Sequence, residues 1–353
     1  MAHSTMSPPM HLGSLLIVGF PGPALEREMT ICRDIVEYGL GGVILFNRCL
    51  YNPDQAANIV SPDQLANLCA DLQSLTSETL LIGVDQEGGK VRRLRPEAGF
   101  TDLCSARQMG ADTDSTELTR AQAEATAAML AALGINCNFA PVVDLNTNPS
   151  NPVIGTLERS FSDDPTLVAR HGAAWIEAHR AHGVLSCLKH FPGHGSSAAD
   201  SHLGFVDISD SWEPRELEPY RILLQQEKVD LVMTGHLFNS RLDGDHPATL
   251  SPPIIDGLLR SELGYEGVVV SDDMQMKAIS DHYGFEEAVC RSLAAGVDML
   301  VFGNNLDYDP DLCSRAINAI KDGLARGVLS EERLLDSLGR VKKLKERFHN
   351  DND

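Results

Sequence analysis

The sequence predicts an α/β fold, a single-domain (β/α)8 TIM-type barrel, and three observations favour this class. Short apolar runs rich in β-branched residues alternate with helix-like segments along the 353 residues. The runs are apolar over their whole length, which is typical of parallel strands covered by helices on both faces. Eight such runs at fairly even spacing match the eight units of a closed barrel, while an open, doubly wound sheet is the alternative.

The predicted strands are runs of five to nine residues, each bounded by turn-forming or helix-like sequence. They cover residues 15–20 ("LLIVGF"), 42–46 ("GVILF"), 80–85 ("LLIGVD"), 135–143 ("INCNFAPVV"), 184–190 ("VLSCLKH"), 230–236 ("DLVMTGH"), 267–272 ("GVVVSD") and 298–302 ("DMLVF").

Helix signals lie between these runs. The segment "STELTRAQAEATAAMLAALG" offers Ser115 as an N-cap and Gly134 at its end, and "PTLVARHGAAWIEAHRAHG" begins with Pro165 and ends at Gly183. Neither a low-complexity linker nor a break in composition divides the chain. We therefore predict one catalytic domain over residues 1–353, with residues 1–12 and 348–353 as flexible termini.

Composition narrows the functional class. The formal net charge of −21 disfavours binding to nucleic acid, and no apolar run approaches the ~20 residues that span a bilayer. The start "MAHSTMSPPM" lacks the basic region of a signal peptide, and the eight cysteines show no paired spacing, as expected for reduced thiols. These features predict a cytoplasmic protein that binds no nucleic acid and does not insert into membranes.

Polar residues follow five of the predicted strands, at the ends where a barrel of this type carries its active site. An Asp or a His at one such position is often only a helix cap, but five coincident strand ends favour a functional face. The residues at or just beyond these strand ends are Asp85, Glu87, Arg92 and Arg93 for the third strand, Asp144 for the fourth, Lys189, His190 and His194 for the fifth, Thr234 and His236 for the sixth, and Ser271, Asp272 and Asp273 for the seventh.

Two chemistries suit these residue types. Several histidines together with Asp85 or Asp272 could hold a divalent metal, but Lys189 beside His190 adds positive charge where a cation would bind. Carbohydrate hydrolysis instead uses a carboxylate nucleophile, a second proton-transfer group, and polar side chains that hold hydroxyls. We favour the second chemistry and expect neither a metal nor another cofactor.

The stretch "KHFPGHG", followed after four residues by "DSH", resembles the signature of β-N-acetylglucosaminidases in glycoside hydrolase family 3. The segments "VDQEGGKVRRL", "NFAPVVDL", "ERSFSDDP" and "SDDM" resemble other blocks of that family, in the same order. The resemblance extends from about residue 13 to the last helix. One departure follows His202, where this chain has "LGFV" in place of a charged residue and a later Pro.

The resemblance implies a retaining, two-step mechanism. Asp272 would be the nucleophile, with Asp273 the competing candidate because successive strand residues point to opposite faces. His202 would be the acid/base, held by Asp200 and delivered by closure of the loop. The implied substrate-binding residues are Asp85, Arg93, Arg159, Lys189 and His190, with Asp144 and His236 supporting the pocket.

The implied activity is release of terminal, non-reducing β-linked N-acetylglucosamine from oligosaccharides or glycoconjugates, among which cell-wall muropeptides are one class, consistent with peptidoglycan recycling. A β-glucosidase or a β-glycosidase of mixed specificity is one alternative. A phosphorylase is another, because a His at the acid/base position tolerates a phosphate nucleophile better than a carboxylate would. A sugar-binding protein without catalysis is disfavoured by the intact set Asp272, Asp200 and His202.

Overall fold

The computed structural model describes residues 10–200, 204–226 and 228–350, and within these ranges eight parallel strands close into a barrel. Neighbouring strands pair in chain order, and the last pairs with the first, with Leu16 beside Leu300. The predicted barrel class is confirmed. The strands are β1 Leu16–Gly19, β2 Gly42–Ile44, β3 Leu81–Val84, β4 Cys137–Asn138, β5 Leu185–Phe191, β6 Leu231–Thr234, β7 Val268–Asp273 and β8 Met299–Phe302.

Helices form an outer layer around the strands. They are α1 Thr30–Tyr38, α2 Pro62–Ser74, α3 Glu117–Ala132, α4 Pro165–Ala181, α5 Glu218–Leu224, α6 Phe285–Ala295, α7 Leu312–Ala325 and α8 Glu331–Asn350. The helix between β6 and β7, Pro253–Glu262, has π geometry. Shorter helical turns are Leu12–Leu15, Pro96–Ala98, Ala106–Met109, Pro214–Leu217, Ala248–Leu250 and Lys277–Ser280.

The helix ends follow the capping signals of the sequence with one shift. The Asp164 carboxylate accepts hydrogen bonds from the N–H groups of Thr166 and Leu167 at 2.7 and 3.2 Å, directly before Pro165. The sequence predicts Ser115 as the N-cap of α3, but the N-cap in the structure is Thr116. The shift reflects a local bond, because the Ser115 hydroxyl accepts from the N–H of Glu117, two residues on.

The fourth strand is much shorter than the run 135–143 that predicted it. Pro141 has no N–H to donate to a neighbouring strand, and pairing resumes only as an isolated bridge between Val142 and Lys189. Asn138 compensates with its side chain, because its Oδ1 accepts from the N–H of Gln86 at 3.0 Å. The chain therefore leaves the sheet early and carries Asp144 to the end of the barrel.

The barrel lumen is a packed core. Ile17, Phe139, Met233 and Val301 point inward from different strands and are nearly inaccessible to solvent. Alternate strand residues such as Val18 pack outward against the helices, as the two-residue period of a strand requires. Helix α8 closes the N-terminal end of the barrel, because its residues at positions 341 and 344 join the lumen core.

Parts of both predicted flexible termini belong to regular structure. Leu12, which the sequence analysis placed in a flexible terminus, is buried in a 3-10 turn, and α8 extends through residues 348–350. No helix in the described ranges is long and apolar enough to cross a membrane. The eight cysteines all fall within those ranges and all carry free thiols.

Candidate active site

Asp85 follows β3 directly and lies between two cationic side chains at the C-terminal end of the barrel. Its Oδ1 is 2.8 Å from Lys189 Nζ, and its Oδ2 is 3.0 Å from Arg93 Nη2. Burial alone would raise the pKa of Asp85, but the charges of Lys189 and Arg93 hold it well below its usual value. Asp85 is therefore an ionised acceptor at neutral pH.

Glu87 lies two residues after Asp85 and forms ion pairs with Arg159 and Lys189. Arg159 donates to it through a two-bond fork, Nε to Oε2 at 2.7 Å and Nη2 to Oε1 at 2.8 Å, and Lys189 Nζ lies 2.8 Å from Oε1. Burial would raise the pKa of Glu87, yet the Arg159 and Lys189 charges lower it. Lys189 thus bridges the two carboxylates and joins them into one network.

His190 extends this network to β4. Its Nδ1 lies 2.7 Å from Asp144 Oδ2, and its Nε2 lies 3.2 Å from Arg159 Nη2. A guanidinium can only donate, so Nε2 accepts and Nδ1–H donates to Asp144. Burial would raise the pKa of Asp144, but His190 and the N–H of His194 hold it below its usual value. Asp144 therefore fixes both the ring orientation and the tautomer of His190.

The side chains of this network differ in their exposure to solvent. The side chains of Lys189 and Arg159 are 3% and 9% exposed, whereas those of Asp85 and Arg93 are 16% and 23% exposed. Arg93 also lies over the ring of Phe46, with the guanidinium carbon 5.7 Å from the ring centre. Asp85 and Arg93 form the accessible part of the site, and the more deeply buried pairs orient them.

The two carboxylates that end β7 have different partners. Asp273 Oδ1 accepts hydrogen bonds from the N–H groups of Gln275 and Gly303, both at 3.0 Å, and so holds the turn after β7 against the end of β8. Asp272 Oδ1 accepts from the N–H of Asp273 at 2.8 Å. His236 supports this strand end, because its Nε2 lies 2.9 Å from the carbonyl oxygen of Asp273.

The loop after β5 is fastened at its beginning. The Trp212 indole N–H donates to the carbonyl of Pro192 at 3.0 Å, and the Asn151 amide donates to the carbonyl of Gly195 at 3.0 Å. The N–H of Gly195 donates to Glu216 Oε2 at 3.1 Å. A Cβ at position 195 would collide with the backbone of residue 145, so glycine is needed for this close approach. The first part of the loop is thus part of the rigid scaffold.

Glu216 is a buried carboxyl beneath this loop. Its Oε1 has no hydrogen-bond partner among the described residues. Burial raises the pKa of Glu216 to about 7, and the nearby charge of Asp144 acts in the same direction. A proton on this carboxyl is therefore favoured below neutral pH.

The predicted site residues fall into groups by position. Asp85, Arg93, Arg159, Lys189 and His190 are brought together in one network, as described above. Asp272 ends β7, and Asp200 lies half-buried in the loop after β5. The predicted acid/base, His202, lies outside the described residues.

The sequence reasoning gave Glu87 and Glu216 no role in the site. Glu87 stands two positions after Asp85, and its close partners Arg159 and Lys189 are distant in sequence, so only the folded chain reveals the ion pairs. Glu216 lies in a helical segment, "RELEPY", whose pattern is typical of a solvated amphipathic helix. No local signal marks it as buried.

The arrangement suits a neutral ligand with many hydroxyl groups. An ionised carboxylate accepts from hydroxyls, and an adjacent guanidinium donates to them, so Asp85 and Arg93 can hold neighbouring hydroxyls. In the part of the chain that the structure describes, no group of three or more His, Cys, Asp or Glu side chains is placed to hold a metal ion.

Comparisons with known proteins identify relatives of this chain. Residues 11–344 match the model of the glycosyl hydrolase family 3 N-terminal domain. The chain is 35% identical to beta-hexosaminidase A of Pseudoalteromonas piscicida, over 89% of this chain and 54% of that protein. It is 37% identical to the beta-hexosaminidase LpqI of Mycobacterium tuberculosis, over 90% of this chain and 78% of the relative.

Solved structures show the same relationship. A family 3 beta-N-acetylglucosaminidase from Paenibacillus sp. superposes with a TM-score of 0.86 at 37% identity, over 97% of this chain and 62% of that one. A beta-N-acetylhexosaminidase from Beutenbergia cavernae gives 0.82 at 28% identity, over 95% and 97%. This chain thus spans only about half to two thirds of some relatives. With the matching motifs, the closed barrel and these similarities together, the chain belongs to glycosyl hydrolase family 3.

Proposed function

We propose that this protein is an exo-β-N-acetylglucosaminidase that releases terminal, non-reducing N-acetylglucosamine with retention of anomeric configuration. The observation that carries the proposal is the network in which Lys189 bridges Asp85 and Glu87 at the mouth of the barrel. It offers an accessible carboxylate and guanidinium for sugar hydroxyls. The names of the relatives, beta-hexosaminidase and beta-N-acetylglucosaminidase, indicate the sugar.

In the proposed first step, Asp272 attacks the anomeric carbon while His202 donates a proton to the departing oxygen, and Asp200 stabilises the imidazolium. A glycosyl ester of Asp272 forms, and the leaving group departs as an alcohol. In the second step His202 takes a proton from water, which attacks the same carbon and regenerates the Asp272 carboxylate. A His suits this role because its ordinary pKa lies close to neutral pH.

The proposal is tested with a panel of 4-nitrophenyl β-glycosides, with and without phosphate. We expect release of 4-nitrophenol from the N-acetylglucosaminide and little from the glucoside, and the sugar should appear first as its β anomer by NMR. Equal rates on both glycosides would indicate mixed specificity. A sugar 1-phosphate product in phosphate buffer would identify a phosphorylase.

We propose further that the natural substrates include cell-wall muropeptides processed in the cytoplasm. The resemblance described under Sequence analysis implies this substrate class, and the eight free thiols are typical of a reducing compartment. Mass spectrometry of purified muropeptides before and after incubation tests it. Loss of one terminal N-acetylhexosamine mass is expected, and unchanged muropeptides would contradict this part of the proposal.

A further inference from the structure

An exposed aromatic ring lies at the C-terminal end of the barrel, where it contributes little to the core. The side chain of Phe205 is 46% exposed, which is unusual for a phenyl ring. Its centre lies 5.2 Å from the ring of Phe238 and 5.5 Å from the ring of His282. We call these three side chains the aromatic platform.

The platform is held in place by backbone pairing. Residues Val206–Asp207 pair in parallel with Leu237–Phe238, so the chain directly after Phe205 is tied to the chain directly after β6. Val206 is fully buried and anchors this small sheet. His282 approaches from the segment after β7. Phe205 therefore stands on a fixed base, with its ring partly open to solvent.

The platform lies close to the proposed chemistry. Phe205 follows His202 by three residues in the sequence, so it belongs to the same loop as the proposed acid/base. On the other side, Phe238 is two residues from His236, whose Nε2 contacts the backbone of Asp273 at 2.9 Å. The platform thus connects the loop after β5 to the chain segment that contacts the end of β7, the strand that carries Asp272.

We propose that the aromatic platform is a binding site for the leaving group of the substrate, and that Phe205 stacks against the apolar face of the sugar next to the scissile bond. This inference rests on the proposed function, because only a glycosidase has such a leaving group. The leaving-group oxygen must lie within hydrogen-bond reach of the acid. The sugar attached to that oxygen therefore lies on the side of the loop after β5, where Phe205 presents an exposed ring.

The chemistry of the two surfaces is complementary. One face of a pyranose presents C–H groups of slight positive charge, and the face of an aromatic ring carries slight negative charge. Stacking removes apolar surface from water without requiring any new hydrogen bond. The platform should therefore favour a leaving group with a broad C–H or aromatic face over a small alcohol.

The test compares Phe205→Ala with the unchanged enzyme on two substrates. One is the β-1,4-linked disaccharide of N-acetylglucosamine, and the other is the methyl β-glycoside of the single sugar N-acetylglucosamine. Loss of one stacking contact should lower kcat/KM on the disaccharide by roughly 3- to 10-fold. The methyl glycoside has no ring to stack, so its kcat/KM should change by less than about twofold. Phe205→Tyr keeps the ring and should behave like the unchanged enzyme.

Controls separate stacking from other effects. Phe238→Ala should reproduce the selective loss, because it removes the support of Phe205. Leu118→Ala, an equally exposed apolar residue on α3, should change neither substrate. If Phe205→Ala lowers both substrates equally, the residue positions the acid/base loop and the platform proposal is wrong. If the unchanged enzyme releases N-acetylglucosamine from neither substrate, the proposed function itself fails.

Discussion

At the scale of single residues, the two neighbouring carboxylates at the end of β7 have separate roles. Asp273 accepts hydrogen bonds from two backbone N–H groups and thereby holds β7 and β8 together at their ends. Asp272 Oδ1 accepts a hydrogen bond from the N–H of Asp273. Asp273, the neighbour of the proposed nucleophile, therefore fastens the turn after β7.

This difference predicts opposite effects of two substitutions. Asp272→Ala should abolish turnover, because the proposed nucleophile is lost. Asp273→Ala should keep measurable activity but lose about 1–3 kcal/mol of stability, because two partly buried N–H groups lose their acceptor. Activity assays and thermal melts check both. Labelling of Asp273 rather than Asp272 by a fluorinated glycosyl trap would contradict the assignment.

Glu216 makes the stability depend on pH. Its folded-state pKa of about 7 exceeds the ordinary 4.5, so the folded protein binds the proton more tightly than the unfolded chain does. This contribution to stability is complete below pH 4.5 and is lost as the pH rises through 7. Glu216→Gln should therefore raise the free energy of unfolding at pH 8, by up to about 3 kcal/mol, relative to the unchanged protein.

The difference between Glu216→Gln and the unchanged protein should disappear near pH 4. His194 acts in the opposite sense, since burial lowers its pKa to about 4 and its contribution is lost as the pH falls below 6.5. Denaturant unfolding of the unchanged protein and of Glu216→Gln, at pH values from about 4 to 8, measures the effect. An unchanged difference at all pH values would show that the Glu216 carboxyl does not titrate near neutrality.

At the scale of elements, the loop after β5 combines a fixed beginning with the proposed catalytic pair farther along. His202→Ala should lose roughly 10²–10⁴-fold on a disaccharide, whose leaving group needs a proton, and far less on a 4-nitrophenyl glycoside. Asp200→Asn should show the same pattern more weakly. Equal losses on both substrates would indicate that the loop only shapes the pocket.

The strands and helices illustrate what sequence patterns can and cannot predict. All the apolar runs except 135–143 predicted strands with nearly correct bounds, because a strand buried on both faces is apolar throughout. The strand predicted over residues 135–143 is shorter in the structure, because Pro141 interrupts its pairing. Asp85, Lys189, His190 and Glu87 could all be recognised near strand ends. The role of Glu87 could not be predicted, because it comes from ion pairs across the barrel.

At the scale of the whole molecule, a buried carboxylate helps to hold α8 at the N-terminal end of the barrel. Asp298, just before β8, binds guanidinium groups of Arg333 and Arg340 from α8 at 2.7 and 3.0 Å. It also binds Arg260 of the π-helix at 2.6 Å. These contacts fasten the helix that plugs the lumen to the strand layer.

Removing this carboxylate should destabilise the entire fold. Asp298→Asn would leave clustered guanidinium groups without a counter-charge, a loss of about 3–5 kcal/mol, with KM unchanged because the site lies at the opposite end. The matched control is Glu177→Gln, which breaks an exposed pair with Arg120 and should cost less than about 1 kcal/mol. Denaturant unfolding compares the two. Equal small losses would show that the Asp298 ion pairs do not hold α8 in place.

The paired charges of the site have a consequence for kinetics in different salt concentrations. Ion pairs among Asp85, Lys189 and Glu87 are buried, so dissolved ions screen them little, whereas the net charge of −21 acts through solvent and is screened within about 8 Å at physiological ionic strength. A neutral chito-oligosaccharide should therefore react at a rate nearly independent of salt. A glycopeptide that carries carboxylates approaches against the protein's own field, so added salt should speed its capture.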